Sequence, residues 1–337
     1  MSSLAENKAQ EPLVQVKNLK KYFDVPRKGK LHAVDDVSFD VYPGETLGLV
    51  GESGCGKSTV GHTVMRLLAK TGGEMFYRGQ NVYAAKGKED LELRKSMQII
   101  FQDPYSSLNP RKTIHSILSE PYVIHKYGKN EMKEAIEKLC ELVELSPDLL
   151  PCYPHELDGG MRQVVGIARA LSLSADFIVC DEPVSSLDVS VQARIVNLLM
   201  DLQKKFGISY LFISHDLSVV RHISNRIAIM YLGQIVEMAD TDDIFANASH
   251  PYAIALLSAI PRVERAQKKA RIVLKGDVPS PMNPKPGCRF APRCWMAHEE
   301  CFHKNPQTIE IEPGHFVACP YAHESKARAL EAAKEIS

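Results

Sequence analysis

A glycine-rich stretch early in the chain has the residue types of a phosphate-binding loop. Residues 51–58 read GESGCGKS, which fits G-x-x-x-x-G-K-[ST], and they stand between an apolar strand and a helix. Glycines let backbone N–H groups turn towards phosphate oxygens, and the start of the following helix adds partial positive charge. Lys57 is expected to reach the β- and γ-phosphates, and the Ser58 hydroxyl is expected to bind Mg²⁺. The predicted binding residues are Gly51, Glu52, Ser53, Gly54, Cys55, Gly56, Lys57, Ser58 and Thr59.

Two consecutive acids, Asp181 and Glu182, directly follow the apolar run FIVC at residues 177–180. Folds of the α/β class place their sites at the carboxyl ends of strands, where this pair is expected to lie. Phosphoryl transfer is catalysed mainly by positioning and charge stabilisation. We expect Asp181 to hold the metal through water, and Glu182, which faces the other way, to polarise the attacking water.

These residues require a sheet that brings them to one edge. Strand-like patterns occur at residues 13–16, 34–41, 46–50, 177–180 and 210–213, and helical spacing at 58–69, 113–143 and 191–206. Strands that alternate with helices predict a mainly parallel sheet covered on both faces.

Composition limits the class of protein. The chain has 337 residues, enough for two domains, and its 41 Lys and Arg balance its 41 Asp and Glu, so no global field attracts nucleic acid or anionic lipid. The polar N-terminus lacks a secretion signal, and no apolar run approaches the ~18 residues of a membrane span, which predicts a cytoplasmic location. A composition shift predicts domains 1–245 and 246–337, with a charged helical run at 262–271 in the second.

Further motifs, in a fixed order, make the chain similar to ABC ATPases. LDGGMRQ at residues 157–163 resembles their signature peptide, and Gln102, SSLD at 185–188 and His215 match their Q-loop, D-loop and switch histidine. The resemblance implies an α/β fold with an ABC-type P-loop ATPase core (RecA-like, mainly parallel sheet). Antiparallel β and helical subdomains accompany this core, the helical one at about 103–170. It also implies ATP and Mg²⁺ as ligands.

The resemblance also implies a head-to-tail dimer, with ATP between the glycine-rich loop of one subunit and the signature helix of the other. From it we expect Gln102 to sense Mg²⁺ and the attacking water, and His215 to contact the γ-phosphate. Tyr22 lies where these proteins stack an aromatic ring on adenine, although the residue alone is nearly as typical of a core tyrosine. The remaining expected nucleotide contacts are Asp158, Gly159, Gly160 and Asp188.

Longer stretches resemble the ATPases of dipeptide and oligopeptide importers, most closely the F-type subunit. They are GESGCGKST at 51–59, IIFQDPYSSLNP at 99–110, DEPVSSLDVS at 181–190 and HPYAIALLSAIP at 250–261. The resemblance implies a heterodimer with a D-type ATPase and two transmembrane permease subunits at the cytoplasmic face of the membrane. A peptide-binding protein outside the cytoplasm would act indirectly, and no nucleic acid partner is expected.

Two alternatives to peptide import stay open at this stage. One is an importer ATPase for nickel or another solute. The other is a soluble ABC ATPase that acts on nucleic acid or ribosomes, which the single cassette and the lack of sustained heptads disfavour.

Asp158 departs from the family pattern, where a serine hydrogen-bonds the γ-phosphate of the opposite ATP. A carboxylate is a good helix N-cap, so folding should not suffer. It would, however, repel a triphosphate and lose that hydrogen bond. We expect the composite site that uses this LDGGM signature to be degenerate, unless a small tilt or Mg²⁺ accommodates Asp158.

Four cysteines crowd into a proline-rich segment with spacing C-x5-C-x6-C-x17-C: Cys288, Cys294, Cys301 and Cys319. Prolines prevent a regular helix there, so the segment needs a staple. The residues alone leave zinc, an iron–sulfur cluster and free thiols open, and the short hooks usual for structural zinc are missing. The importer resemblance implies a [4Fe–4S] cluster, with zinc as the alternative, in a small irregular metal-stapled C-terminal domain.

Overall fold

The computed structural model describes residues 11–260 and 272–325 and divides into two compact units. Unit 1 comprises Met1–Tyr42, Leu47–Gln80 and His215–Ser337, and unit 2 comprises Pro43–Thr46 and Asn81–Ser214. Residues on both sides of position 245 thus belong to unit 1, and a separate domain at 246–337 stays a prediction. The helical run expected at 262–271 lies outside the described residues.

An antiparallel sheet opens unit 1, with strand order β2-β1-β4-β5. Its strands are β1 (Val14–Val25), β2 (Gly29–Val41), β4 (Gly72–Tyr77) and β5 (Gln80–Asn81). In β1, Val14 pairs with Val41 of β2 and with Tyr77 of β4, and these apolar residues are buried. Alternation of buried and half-exposed residues along β1 gives the sheet one core face.

A second sheet of unit 1 carries the glycine-rich loop. Its strands, in spatial order, are β11 (Ile309–Glu312), β12 (His315–Val317), β10 (Gln234–Asp240), β9 (Arg226–Tyr231) and β3 (Thr46–Val50). Strands β3 and β9 run parallel, with Val50 opposite Ile229, while β9 and β10 form an antiparallel pair. Every residue of β3 and β9 is buried, as expected for near-continuous apolar runs in the middle of a covered sheet.

The described part of unit 1 contains four α-helices: α1 (Lys57–Val64), α8 (Leu217–Ile223), α9 (Thr241–Asn247) and α10 (Pro251–Ser258). Helix α1 is shorter than the predicted 58–69, because Arg66 adopts a left-handed conformation (φ +58°) that ends it. The start of α10 is set by Pro251 and by Nδ1 of His250, which accepts a hydrogen bond from the Tyr252 N–H at 3.1 Å. Burial lowers the pKa of His250 to about 3, so the imidazole stays neutral and can accept this bond.

Unit 2 is built on three parallel strands in the order β6-β7-β8: β6 (Met97–Ile100), β7 (Phe177–Asp181) and β8 (Ser209–Ser214). Its helices are α2 (Lys88–Ser96), α3 (Pro104–Ser107), α4 (Ile114–Ile124), α5 (Lys129–Leu142), α6 (Gly159–Leu171) and α7 (Val189–Phe206). The helical stretch predicted at 113–143 is therefore two helices, broken where Lys126 takes φ +61°. Helix α7 ends at Gly207, whose φ of +68° suits glycine.

The fold class is confirmed at the level of an α/β P-loop architecture with helices on a mixed sheet. The parallel pairs predicted from strand and helix alternation are present in both units. In the part of the chain that the structure describes, no helix combines the length and the apolar character needed to cross a bilayer.

Helix α6 offers a test of local stability at Gly166. A Cβ built there meets no atom within 4 Å outside its own helix, so alanine fits without strain. We expect Gly166→Ala to raise the free energy of unfolding by about 0.5 to 1 kcal/mol, because glycine loses more backbone entropy in a helix. Urea denaturation of the full chain would measure the change. Gly160→Ala in the same helix is the control. It should not raise the free energy of unfolding, since its Cβ would lie 2.8 Å from Val191 Cγ1. An equal change in the free energy of unfolding for the two variants would contradict the prediction.

Candidate functional site

The glycine-rich loop of unit 1 connects β3, which ends at Val50, to α1, which begins at Lys57. The Lys57 side chain folds over the loop, and Nζ donates to the carbonyl oxygens of Gly51 at 2.9 Å and Glu52 at 3.0 Å. Lys57 is only 4% exposed. A buried cation is thus held beside the start of a helix, which is the arrangement that binds phosphate.

Close backbone packing explains two of the glycines. A Cβ at Gly51 would lie 2.2 Å from the Met230 carbonyl oxygen, and one at Gly56 would lie 2.0 Å from the Ala33 carbonyl oxygen. Gly56 also has φ +106°, which other residues rarely adopt. The loop is therefore pressed against the neighbouring chain as well as shaped for a ligand.

The other predicted residues of the loop differ in exposure. Ser53 and Gly54 are exposed, whereas Ser58 and Thr59 lie half-buried in the first turn of α1. Cys55 is buried, and burial raises the pKa of its thiol. Reactive cysteines have a lowered pKa and an accessible sulfur, so a buried thiol with a raised pKa indicates that Cys55 fills space in the loop.

Tyr22 lies in β1, where its ring stacks on His32 with centroids 3.9 Å apart. Its hydroxyl donates to the Asp35 carboxylate, and burial followed by this contact raises the pKa of Tyr22. Burial opposes ionisation of Asp35, but the Tyr22 hydroxyl and then the Arg289 guanidinium outweigh it and lower the pKa of this carboxyl. One face of the Tyr22 ring is thus covered by His32, and stacking of adenine on this ring stays a prediction.

His215 also belongs to unit 1 and lies exposed in the loop between β8 and α8. Its neighbour Asp216 caps α8, because Oδ1 accepts a hydrogen bond from the Ser218 N–H at 2.8 Å. The cap fixes the backbone directly after His215. The contact of His215 with a γ-phosphate stays a prediction.

The acidic pair of unit 2 stands at the end of β7, as its sequence predicts. Asp181 is 2% exposed and pairs with Ile213 of β8, and Glu182 donates its N–H to the Ile213 carbonyl at 3.0 Å. Glu182 has φ +45°, a conformation that costs free energy for a residue with a side chain and is concentrated at functional sites. The change of backbone conformation turns Glu182 out of the strand direction that Asp181 follows.

Gln102 and Glu182, 80 residues apart, are brought together in unit 2. Nε2 of Gln102 donates to Oε2 of Glu182 at 2.9 Å. Ser185 of the SSLD stretch also contacts this residue, since its Oγ donates to the Glu182 carbonyl at 3.1 Å. Three predicted motifs therefore meet at one glutamate.

The LDGGM stretch begins helix α6, and Asp158 is its N-cap. Oδ1 of Asp158 accepts a hydrogen bond from the Met161 N–H at 2.7 Å, so the carboxylate caps the helix as its residue type predicts. Asp188 caps α7 in the same way, with Oδ1 accepting from the Val191 N–H at 3.0 Å. Hydrogen bonds from Ser190 and then Val191 lower the pKa of Asp188. Gly159 and Gly160 form the first turn of α6.

The predicted iron–sulfur cluster, and with it the zinc alternative, is wrong. Within residues 11–260 and 272–325, no group of three or more His, Cys, Asp or Glu side chains is arranged to hold a metal ion. Cys288, Cys294, Cys301 and Cys319 line a cavity of about 310 Å³ as free cysteines. Burial raises the pKa of Cys294 to about 12 and of Cys319 to about 11. The description of this segment as metal-stapled is corrected accordingly.

Protein contacts hold the proline-rich segment instead of a metal. Strand β12 pairs with β10, and Nε2 of His315 lies 2.7 Å from Oε1 of the buried Glu237. Phe290 packs edge-on against Tyr231, with ring centroids 5.3 Å apart. A segment with few regular elements thus gains its order from contacts with residues far away in the sequence.

Sequence reasoning missed several residues that contact the predicted site. Arg293 donates to the Glu52 carboxylate at 2.9 Å, the Tyr252 hydroxyl accepts from the Glu52 N–H at 2.9 Å, and Arg289 pairs with Asp35. The partners of these contacts are separated by 200 residues or more. No spacing rule connects such distant positions, so only the folded chain reveals them.

Gly56 provides a direct test of the loop. We expect Gly56→Ala to weaken binding of ATP by about tenfold or more, because φ +106° and the Ala33 carbonyl both oppose a side chain there. Equilibrium titration with Mg-ATP and purified full chain would measure it. Gly54→Ala is the matched control, since its φ of +78° carries the same backbone strain but its Cβ meets nothing within 4 Å. A Gly56→Ala variant that binds as well as Gly54→Ala would show that close packing is unimportant.

Comparison with known proteins identifies the family. Residues 34–185 match the family model described as ABC transporter, and residues 236–301 match the one described as Oligopeptide/dipeptide transporter, C-terminal region. YkfD of Bacillus subtilis (strain 168) is 52% identical over 312 residues, covering 91% of this chain and 95% of the relative. Oligopeptide transport ATP-binding protein AppF of the same organism is 49% identical over 320 residues, covering 92% and 97%.

A solved structure gives the same result for the fold. The dimeric structure of a post-hydrolysis state of the ATP-binding cassette MJ0796, bound to ADP and Pi, superposes with a TM-score of 0.61 at 26% identity. The superposition covers 68% of this chain and 98% of that chain. By the match over nine-tenths of its length, the chain belongs to the ABC transporter family, among the oligopeptide and dipeptide transport ATP-binding proteins.

Proposed function

We propose that this chain binds and hydrolyses ATP to power the import of dipeptides or oligopeptides through an ABC transporter. As a member of the family it is an ATPase that drives transport. The observation that carries the peptide assignment is 49% identity to an oligopeptide transport ATP-binding protein over 92% of the chain. The C-terminal match at residues 236–301 supports peptides over nickel or another solute, and over action on nucleic acid.

The glycine-rich loop of unit 1 is proposed to hold the triphosphate. Lys57 is poised for this because its ammonium makes hydrogen bonds only to two loop carbonyls and the Cys55 sulfur among the bonds described for it, and phosphate oxygens are stronger acceptors than these. Loop N–H groups and the start of α1 add further donors. In the same proposal, Tyr22 stacks on adenine and His215 contacts the γ-phosphate.

Mg²⁺ is the metal ion that the oxygen atoms of Ser58, Gln102 and Asp181 suit. The hydroxyl of Ser58 and the side-chain oxygen of Gln102 are hard oxygen ligands of the kind that Mg²⁺ prefers, and the carboxylate of Asp181 would hold the ion through water. Asp181 is 2% exposed, and a buried carboxylate gains from a cation partner. Bound Mg²⁺ would neutralise charge on the β- and γ-phosphate oxygens.

Glu182 is the proposed general base. The hydrogen bond from Gln102 at 2.9 Å orients its carboxylate, and the left-handed backbone directs it away from Asp181. The carboxylate would accept a proton from the attacking water while the water approaches the γ-phosphate. Gln102 thus acts as a positioning residue for Glu182 and as a sensor of the ligand.

We propose further that the chain works in a heterodimer with a D-type ATPase, bound to two permease subunits at the cytoplasmic face of the membrane. A peptide-binding protein outside the cytoplasm would deliver substrate to the permeases. Exposed apolar side chains after the Q-loop support a permease contact, since Tyr105, Val123 and Ile124 are 58%, 62% and 57% exposed.

Asp158 is proposed to make one composite ATP site of this heterodimer degenerate. Its exposed carboxylate already serves as N-cap of α6, and it would bring negative charge towards a triphosphate on the partner. A serine there would cap the helix equally well without that charge. The alternative is that a small tilt of the helix, or Mg²⁺, accommodates the carboxylate.

The role of Glu182 is testable by Glu182→Gln. We expect transport-coupled ATP hydrolysis to fall at least about 100-fold while Mg-ATP still binds, because the amide cannot accept the proton. Hydrolysis would be measured in the assembled transporter and binding in the purified chain. Glu144→Gln is the control: this exposed glutamate pairs with Arg194 at 3.1 Å, and its loss should leave turnover unchanged. Turnover retained in Glu182→Gln would refute the assignment.

The degenerate site is testable by Asp158→Ser in the assembled heterodimer. We expect tighter binding of ATP by about tenfold at the site that uses this signature, since a charge repulsion is removed and a hydrogen bond gained. Two-site nucleotide titration and steady-state hydrolysis would report it. Asp148→Ser removes an exposed carboxylate elsewhere in unit 2 and should change neither quantity. An Asp158→Ser transporter with unaltered affinity and turnover would mean that Asp158 is tolerated.

A further inference from the structure

The second residue of the phosphate loop, Glu52, is held at three of its groups. Its N–H donates to the Tyr252 hydroxyl at 2.9 Å, and its carbonyl accepts from Lys57 Nζ at 3.0 Å. Its two carboxylate oxygens accept from Nη1 of Arg293 at 3.2 and 2.9 Å. Two of the three partners, Tyr252 and Arg293, come from the C-terminal part of the chain, so the conformation of the loop depends on that part.

Arg293 is well placed to act as a rigid holder. Its side chain is 9% exposed, against 29% for Glu52, so water and salt screen the ion pair less than they would at the surface. The guanidinium lies 5.9 Å from the centroid of the Tyr231 ring, and Nη1 is 3.4 Å from the Tyr231 hydroxyl. Its backbone N–H donates to the Phe290 carbonyl at 2.9 Å, which fixes the start of the side chain.

Aromatic packing anchors the segment that presents Arg293. Phe290 is 1% exposed and contacts the rings of Tyr231 and Tyr252, with centroids 5.3 and 5.5 Å away. Tyr252 is the residue whose hydroxyl accepts from the Glu52 N–H. The same aromatic cluster therefore supports both C-terminal contacts with Glu52.

Two consequences for the phosphate loop follow from these contacts. When Lys57 turns from the loop carbonyls to a phosphate, Glu52 loses one partner, and Arg293 and Tyr252 remain to keep the loop in place. Arg293 also offsets a carboxylate that lies in the loop and would otherwise repel the triphosphate. Both effects favour ATP binding, and neither requires Arg293 to reach the nucleotide.

We infer that Arg293 is a positioning residue for ATP binding, which acts through Glu52 to hold the phosphate loop and to cancel the charge of that carboxylate. The C-terminal region thereby takes part in nucleotide binding within the same chain. The inference rests on the proposed function, because it concerns the affinity of the loop for ATP.

The test uses Arg293→Gln in the full chain and in the assembled transporter. We expect the Kd for Mg-ATP and the KM for ATP to rise about tenfold, the loss typical of a charged hydrogen-bonded pair, while kcat at saturating ATP stays within about twofold. Arg293→Lys should recover part of the affinity, because a cation is restored without the same hydrogen-bond geometry. Lys304→Gln is the control, since Lys304 is 79% exposed and its partner is Glu300 at 3.8 Å.

A double-mutant cycle tests whether Arg293 affects ATP binding through Glu52. Glu52→Gln removes both the ion pair and the charge that Arg293 offsets, so adding Arg293→Gln to it should cost much less affinity than Arg293→Gln costs in the unaltered chain. Thermal unfolding of each variant checks that the chain is folded, and Arg293→Lys provides the result if Arg293→Gln is not. Wild-type affinity in Arg293→Gln, or an equal loss from Arg293→Gln with and without Glu52→Gln, would overturn the inference. If the unaltered chain bound no ATP, the proposed function itself would fail.

Discussion

The nucleotide site depends on one constraint, the close packing of the loop between β3 and α1 against the neighbouring strands. Its backbone approaches the carbonyl oxygens of Met230 and Ala33 so closely that no Cβ fits at Gly51 or Gly56. A loop confined in this way has few alternative conformations, so its backbone N–H groups are oriented before any ligand arrives, while the Lys57 side chain turns from the loop carbonyls to the phosphate. Affinity for phosphate then depends on everything that keeps the loop against β9 and β2. The contacts of Glu52 with Tyr252 and Arg293 belong to this set.

In unit 2, backbone conformation and helix capping set the orientation of the acidic side chains. Asp181 ends a buried strand, and the left-handed conformation of Glu182 turns the next carboxylate in a new direction. Two hydrogen bonds hold Glu182 in this strained conformation: its N–H donates to the Ile213 carbonyl, and its carboxylate accepts from Gln102. Asp158 and Asp188 are oriented by helix capping. Each carboxylate accepts a hydrogen bond from a backbone N–H group in the first turn of its helix, which fixes its position.

The C-terminal segment shows how a composition pattern can mislead. Four cysteines among prolines suggested a metal staple, because such a segment cannot form regular helices. The chain instead orders it through strand pairing, the contact of His315 with Glu237 and a cluster of buried aromatic rings. Since burial keeps the thiols of Cys294 and Cys319 protonated, they behave as small apolar groups that line a cavity. The segment's contact with the phosphate loop comes from Arg293, which the cysteine spacing did not indicate.

What the sequence by itself determined was the local chemistry. The loop at residues 51–58, the acidic pair at the end of β7 and the Asp158 cap of α6 each depend on neighbours within a few positions, so residue type and spacing were enough to predict them. The substrate class and the family followed from resemblance to other chains. Only the tertiary structure decided that Gln102 meets Glu182, that His32 covers one face of Tyr22, and that Arg293 reaches Glu52 across 241 residues. Such pairs depend on how strands and loops are brought together in space, and no local periodicity records that arrangement.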